Sequence, residues 1–178
     1  MNAAVRHPPI VESPAASSLT WLSEADTQEF AHRLAACPAL RHSFVQLHGE
    51  LGAGKTTLVR HLLHALGVQG RIKSPTYTVV EPYELPLRQA QDGRLSIWHF
   101  DFYRFSDPRE WEDAGFRDIF ASAGLKLAEW PEQAAAYLPP ADLEIHISVT
   151  ADDTRQVTLR AHSDTGRVLA QAATGARP

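Results

Sequence analysis

The sequence has very little cysteine and no long apolar segment, and each absence excludes a class of protein. Cys37 is the one cysteine among 178 residues, which excludes an internal disulfide framework and a zinc site made of cysteines alone. No apolar run approaches the roughly 20 residues of a membrane-spanning helix. The first residues lack the apolar stretch of a secretory signal peptide. We therefore expect a soluble, cytoplasmic protein with no membrane association.

An excess of positive charge is also missing. The chain has 17 lysines and arginines against 21 aspartates and glutamates, a formal net charge of −4. Domains that bind nucleic acid through its phosphates are usually basic, so this balance argues against a large nucleic-acid-binding surface, although it leaves room for a local basic patch. The hydrophobic fraction of 44% is typical of globular proteins, and the length suits one domain.

A glycine-rich segment is the strongest motif that is present. GELGAGKTT begins at Gly49 and matches the phosphate-binding pattern G-x-x-x-x-G-K-T. Glycines allow several backbone N–H groups to converge on a phosphate, and the following helix adds its N-terminal dipole. Lys55 is expected to reach the β- and γ-phosphates, and the Thr56 hydroxyl to ligate Mg²⁺. The predicted nucleotide-binding loop consists of Gly49, Glu50, Leu51, Gly52, Ala53, Gly54, Lys55, Thr56 and Thr57.

Helical and strand patterns alternate along the chain. A weak capping box at Ser23 begins one helix, Pro38 ends it, and Gly67 ends the helix that follows the loop. Other predicted elements are strands at 42–48, 125–130, 142–150 and 155–163, a hairpin of 76–83 with 94–105, and helices at 107–121 and after Pro131.

This order of elements predicts an α/β fold. We expect a P-loop NTPase-like arrangement of three layers, with a mainly parallel central sheet and antiparallel additions. Residues 19–172 are predicted to form a single P-loop ATPase domain, 1–18 a disordered tail and 173–178 a frayed end.

Two carboxylates and a threonine are candidates to complete the site. Asp101 and Glu129 each end an apolar strand, and Mg²⁺ prefers hard oxygen ligands. One of them would hold the metal and the other would order the attacking water; the residues alone leave open which does which. Thr76, in KSPTY, is placed like the threonine of a switch loop that senses a γ-phosphate.

Histidines are numerous, but none is predicted to bind metal. His61 and His64 lie three apart on a helix without a carboxylate or third histidine at ligand spacing. His48, His99 and His146 lie in or beside strands and are interpreted as ordinary strand side chains.

Several motifs together resemble the bacterial TsaE family, whose older name is YjeE. GELGAGKTT, KSPTYTVVEPY, WHFDFYR, LAEWPEQ and LPPADLEIHI occur in this order over about residues 19–149. The resemblance implies an ATPase of tRNA threonylcarbamoyladenosine biosynthesis that uses ATP and Mg²⁺. It further implies action with the TsaB and TsaD proteins, and contact with tRNA only through that complex.

The resemblance also implies roles for individual residues. Lys55 and Thr56 take the phosphate and magnesium roles, and Glu129 becomes the second magnesium ligand. Asp101 becomes a residue needed for hydrolysis, and Thr76 a switch-like residue. Two further residues are expected near the nucleotide, namely Trp130 and, in the segment beside the adenine, Thr27.

Two other functions fit the glycine-rich loop. A small-molecule kinase would use the same loop, but kinases usually carry an acceptor pocket and an arginine-bearing lid, and the segment after Glu129 is short and lacks arginine. A nucleotide-gated binding module with negligible turnover is the other alternative. The pairing of Asp101 with Glu129 favours hydrolysis over this second alternative.

Overall fold

The computed structural model describes residues 15–86 and 93–175, which form a β-sheet with helices on both faces. The strands are β1 (Ala15–Trp21), β2 (Phe44–His48), β3 (Val80–Pro86), β4 (Arg94–Asp101), β5 (Leu125–Glu129), β6 (Leu143–Val149) and β7 (Arg155–Ala161). The α-helices are α1 (Glu24–Ala36), α2 (Lys55–Leu66), α3 (Pro108–Asp113), α4 (Phe116–Ala121) and α5 (Asp164–Thr174). Two short 3₁₀ helices cover Pro38–His42 and Pro131–Ala134.

The sheet is parallel at its centre and antiparallel at both edges. Its strand order is β1-β7-β6-β2-β5-β4-β3. β2 runs parallel to β5 and β6, and β4 runs parallel to β5. β3 pairs with β4, β7 with β6 and β1 with β7 in antiparallel fashion. The predicted α/β fold, with a mainly parallel centre and antiparallel additions, is confirmed.

Alternate residues of the central strands face two separate apolar cores, which makes three layers. Val45 of β2 and Leu127 of β5 belong to the core that contains buried residues of α1, α2 and α5. Phe44 and Ala128, their neighbours in sequence, belong to the aromatic core beneath α3 and α4. Because successive side chains of a strand point to opposite faces, the three-helix layer and the two-helix layer lie on opposite sides of the sheet.

Most predicted elements occur where the sequence places them. The helix after the glycine-rich loop covers Lys55–Leu66, and Gly67 ends it in the left-handed conformation. The predicted hairpin is the antiparallel pair β3–β4, and Gly115 divides the next helical segment into α3 and α4. Part of the predicted turn between the hairpin strands, including Asp92, lies outside the described residues.

The two ends of the predicted domain are corrected by the structure. β1 begins at Ala15, before the predicted start at residue 19, because pairing with β7 rather than an apolar pattern specifies this strand. At the other end α5 was not predicted; it extends through Thr174 and buries Ala173, which the sequence placed in a frayed end. Gly166, a poor helix former, obscured it: a Cβ there would lie 1.8 Å from the Asp142 carbonyl oxygen. The rest of the predicted tails, residues 1–14 and 176–178, lies outside the described part of the chain.

Candidate functional site

The glycine-rich loop connects the carboxyl end of β2 to the beginning of α2. Gly49 and Gly54 adopt φ values of 144° and 114°, in a region that side chains with a Cβ rarely occupy. At Gly49 a Cβ would also meet the carbonyl oxygen of Ile147 at 2.2 Å. The first turn of α2 follows directly, so its free N–H groups point to the space above the loop. This backbone is shaped to hold a phosphate group.

Lys55 lies at the base of the loop and is 4% exposed. Its ammonium group donates hydrogen bonds to the carbonyl oxygens of Gly49 and Glu50 and lies 4.0 Å from the centre of the Trp130 ring. Burial lowers the pKa of the Lys55 amine, an effect that the nearby carboxylates of Glu129 and Asp101 oppose. A bound phosphate would add negative charge at the same place and favour the ammonium form further.

Thr56 and Glu129 form the most direct link between the loop and the end of a parallel strand. The Thr56 hydroxyl donates to Oε2 of Glu129 at 2.8 Å. The other carboxylate oxygen, Oε1, lies 2.8 Å from Nε2 of His99, and the His99 and Glu129 side chains are only 0% and 2% exposed. A hydroxyl and an ionised carboxylate at this distance are the hard oxygen donors that Mg²⁺ prefers. The donor set therefore fits a magnesium ion between Thr56 and Glu129.

Asp101 organises the loop that precedes β3. The hydroxyls of Ser74 and Thr76 both donate to its Oδ2, the latter at 2.8 Å. Its Oδ1 accepts a hydrogen bond from the backbone N–H of Tyr103 at 3.0 Å. In the sheet Asp101 is the register partner of Glu129, so the two carboxylates end neighbouring strands. Asp101 is thereby fixed in place and couples the predicted switch residue Thr76 to the site.

Two cavities meet at the glycine-rich loop, on either side of Gly52, Gly54 and Thr57. One, of about 270 Å³, is lined by Lys55, Thr56, Ser74, Thr76, Asp101, Tyr103, Glu129 and Trp130, together with loop residues that include the exposed Leu51. The other, of about 300 Å³, is lined by residues of β1 and α1 with Ala53, Asp153 and Arg155. We call them the phosphate-side cavity and the base-side cavity. Together they suit a molecule with a polyphosphate at one end and a flat ring at the other.

The structure brings every predicted site residue to these two cavities or to the loop between them. Thr27 is buried and lines the base-side cavity, and Trp130 lines the phosphate-side cavity, where its φ of 55° is unusual for a residue with a large side chain. Glu50 is exposed but contributes the carbonyl oxygen that accepts from Lys55.

Sequence reasoning missed two residues of the site. His99 was interpreted as an ordinary strand side chain, yet its Nε2 lies 2.8 Å from Oε1 of Glu129. Ser74, in KSPTY, was not predicted as a site residue, although its hydroxyl and that of Thr76 both donate hydrogen bonds to Asp101. A sequence signal existed for His99, because it precedes Asp101 by two residues and strand alternation gives them the same face.

Comparison with known proteins identifies the chain. The profile of the family described as "Threonylcarbamoyl adenosine biosynthesis protein TsaE" matches residues 21–157. The chain belongs to the TsaE family. This match covers every predicted site residue and both cavities, so the family assignment and the geometry refer to the same part of the molecule.

Individual relatives agree with the assignment. The tRNA threonylcarbamoyladenosine biosynthesis protein TsaE of Haemophilus influenzae is 41% identical over 145 residues, which are 82% of this chain and 87% of that protein. The protein of the same name from Bacillus subtilis is 34% identical over 80% of this chain and 85% of its own length. The crystal structure of Bacillus subtilis YdiB superposes with a TM-score of 0.68 at 26% identity, and covers 91% of this chain and 96% of its own.

The helices of residues 15–86 and 93–175 include none that is both long and apolar enough to cross a membrane.

Proposed function

We propose that this chain is an ATPase that serves tRNA threonylcarbamoyladenosine biosynthesis, with a slow intrinsic rate that the TsaB and TsaD proteins raise. The observation that carries the proposal is the contact of Thr56, at the beginning of α2, with Glu129 at 2.8 Å. It joins a phosphate-binding loop to a carboxylate in the way that a magnesium-nucleotide site requires. The names of the relatives supply the pathway.

The residues divide the work of hydrolysis between them. The loop N–H groups and Lys55 bind and neutralise the phosphates, while Thr56 and Glu129 would hold Mg²⁺. When bound, the ion would draw negative charge from the β- and γ-phosphates and so stabilise the transition state. Asp101 orients the attacking water from the neighbouring strand end, and Thr76 signals through Asp101 whether a γ-phosphate is present.

A partner is expected to complete the site. Within the described residues, no arginine lines the phosphate-side cavity. P-loop hydrolases often depend on an arginine, from the same chain or from a partner, to stabilise the transition state, and slow intrinsic turnover is typical without it. The missing arginine also gives no support to the small-molecule kinase, which would carry one in its lid. Stimulation by TsaB and TsaD fits a site of this kind.

Phosphate release with and without TsaB and TsaD tests the proposal. We expect a low rate for the chain alone and an increase of at least about tenfold in the complex. Lys55→Ala should abolish the stimulated rate because the phosphates lose their cation, and Glu129→Gln should abolish it because the metal loses its charged ligand. Asp101→Asn should retain ATP binding, measured by calorimetry, and lose turnover.

Each other outcome has a definite meaning. A rate that stays near zero with both partners, while ATP still binds, would identify the nucleotide-gated binding module. Transfer of radiolabelled phosphate to a small acceptor would identify the kinase. The exposed His32 on α1 offers a control, since His32→Ala should leave the stimulated rate unchanged.

A further inference from the structure

Polar side chains form a second cluster on the face of the sheet that points away from α2. His48 of β2 and His146 of β6 are register partners in the parallel pair, and Glu144 precedes His146 by two residues on the same face. His162, which follows β7, reaches the same carboxylate. We call these four residues, His48, Glu144, His146 and His162, the histidine cluster. It uses none of the side chains of the nucleotide site.

The distances within the histidine cluster are short. Nε2 of His146 lies 2.9 Å from Oε2 of Glu144, and Nε2 of His162 lies 3.0 Å from Oε1 of the same residue. One ligand atom from each of His48, Glu144 and His146 lies within 4.8 Å of the others. Glu132 extends the cluster, with Oε2 at 3.6 Å from Nδ1 of His48.

The side chains of the histidine cluster are partly buried and offer nitrogen and oxygen ligand atoms. The side chains of His48, Glu144 and His146 are 22%, 21% and 31% exposed. Imidazole nitrogens and carboxylate oxygens are ligands that zinc prefers.

The surroundings leave room for an ion and an exchangeable ligand. A cavity of about 510 Å³ opens beside the cluster and is lined by Gln46, His48, Glu132, Glu144, His162 and the segment around Pro139 and Pro140. The site is reached from solvent through this cavity, so an ion could enter without unfolding of the sheet.

Binding of a metal ion at the histidine cluster would require one local adjustment. The rings of His48 and His146 are stacked, with centroids 4.3 Å apart and planes 9° apart. Because a metal ion lies in the plane of each imidazole that binds it, one ring must rotate about its Cβ–Cγ bond. The χ2 torsion of histidine has a broad energy profile, so the rotation costs little.

We propose that His48, Glu144 and His146 bind a Zn²⁺ ion, with His162, Glu132 or water as the fourth ligand. Two imidazoles and one carboxylate leaving a fourth position open are a recurrent zinc ligand set in proteins. The three ligands come from two adjacent strands, so the backbone holds their Cα positions fixed. The sequence interpretation of His48 and His146 was that of ordinary strand side chains, and the proposal gives them a metal-binding role instead.

Calorimetric titration of the chelator-treated full chain with Zn²⁺ tests the proposal. A large excess of Mg²⁺ in the buffer keeps zinc from the oxygen ligands Thr56 and Glu129. We expect one zinc per chain, and the double variant His48→Gln/His146→Gln should bind at least about tenfold more weakly. The matched control is His61→Gln/His64→Gln, because His61 also contacts a glutamate, Glu24, at 2.8 Å. This control should bind zinc like the wild type.

Two results would contradict the proposed zinc site: no binding of zinc to the wild type, or an equal loss of zinc affinity in both double variants. Circular dichroism establishes that the variants are folded. A second measurement needs no variant, since Co²⁺ bound by the cluster in place of zinc should give the strong visible absorption of a four-coordinate ion. The weak spectrum of hydrated Co²⁺ in the presence of the protein would equally contradict the proposal.

Discussion

Glu129 is held from two sides at the candidate site. Oε2 accepts from Thr56, while Oε1 is bound to His99, which is itself completely buried. Among residues 15–86 and 93–175, none hydrogen-bonds to the other ring nitrogen of His99, Nδ1, although this atom is buried. An unpaired buried polar atom costs about 1–3 kcal/mol, so this histidine is not the residue that packing alone would favour. We infer that His99 is a positioning residue, which fixes the carboxylate so that its other oxygen faces the metal site.

This role gives a prediction for magnesium-dependent nucleotide binding. In His99→Ala, the Glu129 carboxylate loses its anchor, and we expect the gain in ATP affinity on adding Mg²⁺ to fall by about tenfold. Affinity in the presence of a chelator should remain close to that of the wild type, because the loop and Lys55 are intact. Calorimetry with Mg²⁺ and with chelator measures both values.

A conservative variant separates positioning from packing. His99→Gln keeps an N–H donor toward Glu129, so it should recover part of the magnesium effect, whereas a purely structural role would leave both variants alike. An undiminished magnesium effect in folded His99→Ala would show that Glu129 does not need this histidine.

The positions of the Asp101 and Glu129 carboxylates follow from the strands that they end. β4 and β5 are parallel neighbours, and their register pairs Asp101 with Glu129. Asp101 and Glu129 share a sheet face with Ile97 and Leu127, which precede them by four and two residues and pack on the α2 side of the sheet. The two carboxylates therefore reach the same edge and face as the glycine-rich loop. Parallel pairing, and not sequence proximity, assembles the site.

The N-cap residue of α5 also forms a hydrogen bond with a residue at one end of the sheet. Ser163 accepts from the backbone N–H of Gly166 at 3.0 Å and donates to Oδ1 of Asp142 at 2.6 Å. Asp142 in turn accepts from the backbone N–H of Phe44 at the beginning of β2. We expect Ser163→Ala to lower the free energy of unfolding by about 1 kcal/mol or more, because both contacts are lost.

Urea denaturation followed by circular dichroism measures this change. Gln171 lies exposed on the same helix, so Gln171→Ala is a control in which the free energy of unfolding should stay the same or rise slightly. Equal stability of the Ser163 variant and the wild type would mean that packing of Leu169 and Ala173 alone holds α5 in place.

At the scale of the molecule, the negative net charge leads us to expect little direct contact with tRNA. The formal net charge is −4, and binding to a phosphate backbone depends on neutralisation by lysine and arginine. We expect no measurable tRNA binding by the isolated chain at physiological salt in a filter-binding assay. Binding should appear only when TsaB and TsaD are added.

A salt series sharpens this test. If the isolated chain binds tRNA with an affinity that falls steeply as the salt concentration increases, the chain has a basic patch and the expectation is wrong. The same series with the complex measures how many phosphates the assembled surface neutralises.

Local sequence signals were sufficient to predict the glycine-rich loop and the helix that follows it. Gly54 and Lys55 belong to the fixed sequence pattern that predicts the loop. Gly67 marks the end of α2 because few other residues adopt its left-handed conformation. α5 and the first residues of β1 were missed because their stability comes from distant partners. Ser163, the N-cap residue of α5, donates a hydrogen bond to Asp142, and Ala15 pairs with Ala161.

The sequence by itself determined the family, the phosphate loop and the types of residue that complete the site, because these depend on short motifs and local backbone preferences. Only the tertiary structure decided which side chains meet. Parallel pairing of β4 with β5 sets His99 and Asp101 beside Glu129, and parallel pairing of β2 with β6 sets His48 beside His146. The register between strands so distant in sequence depends on the packing of the whole sheet, which no local pattern encodes.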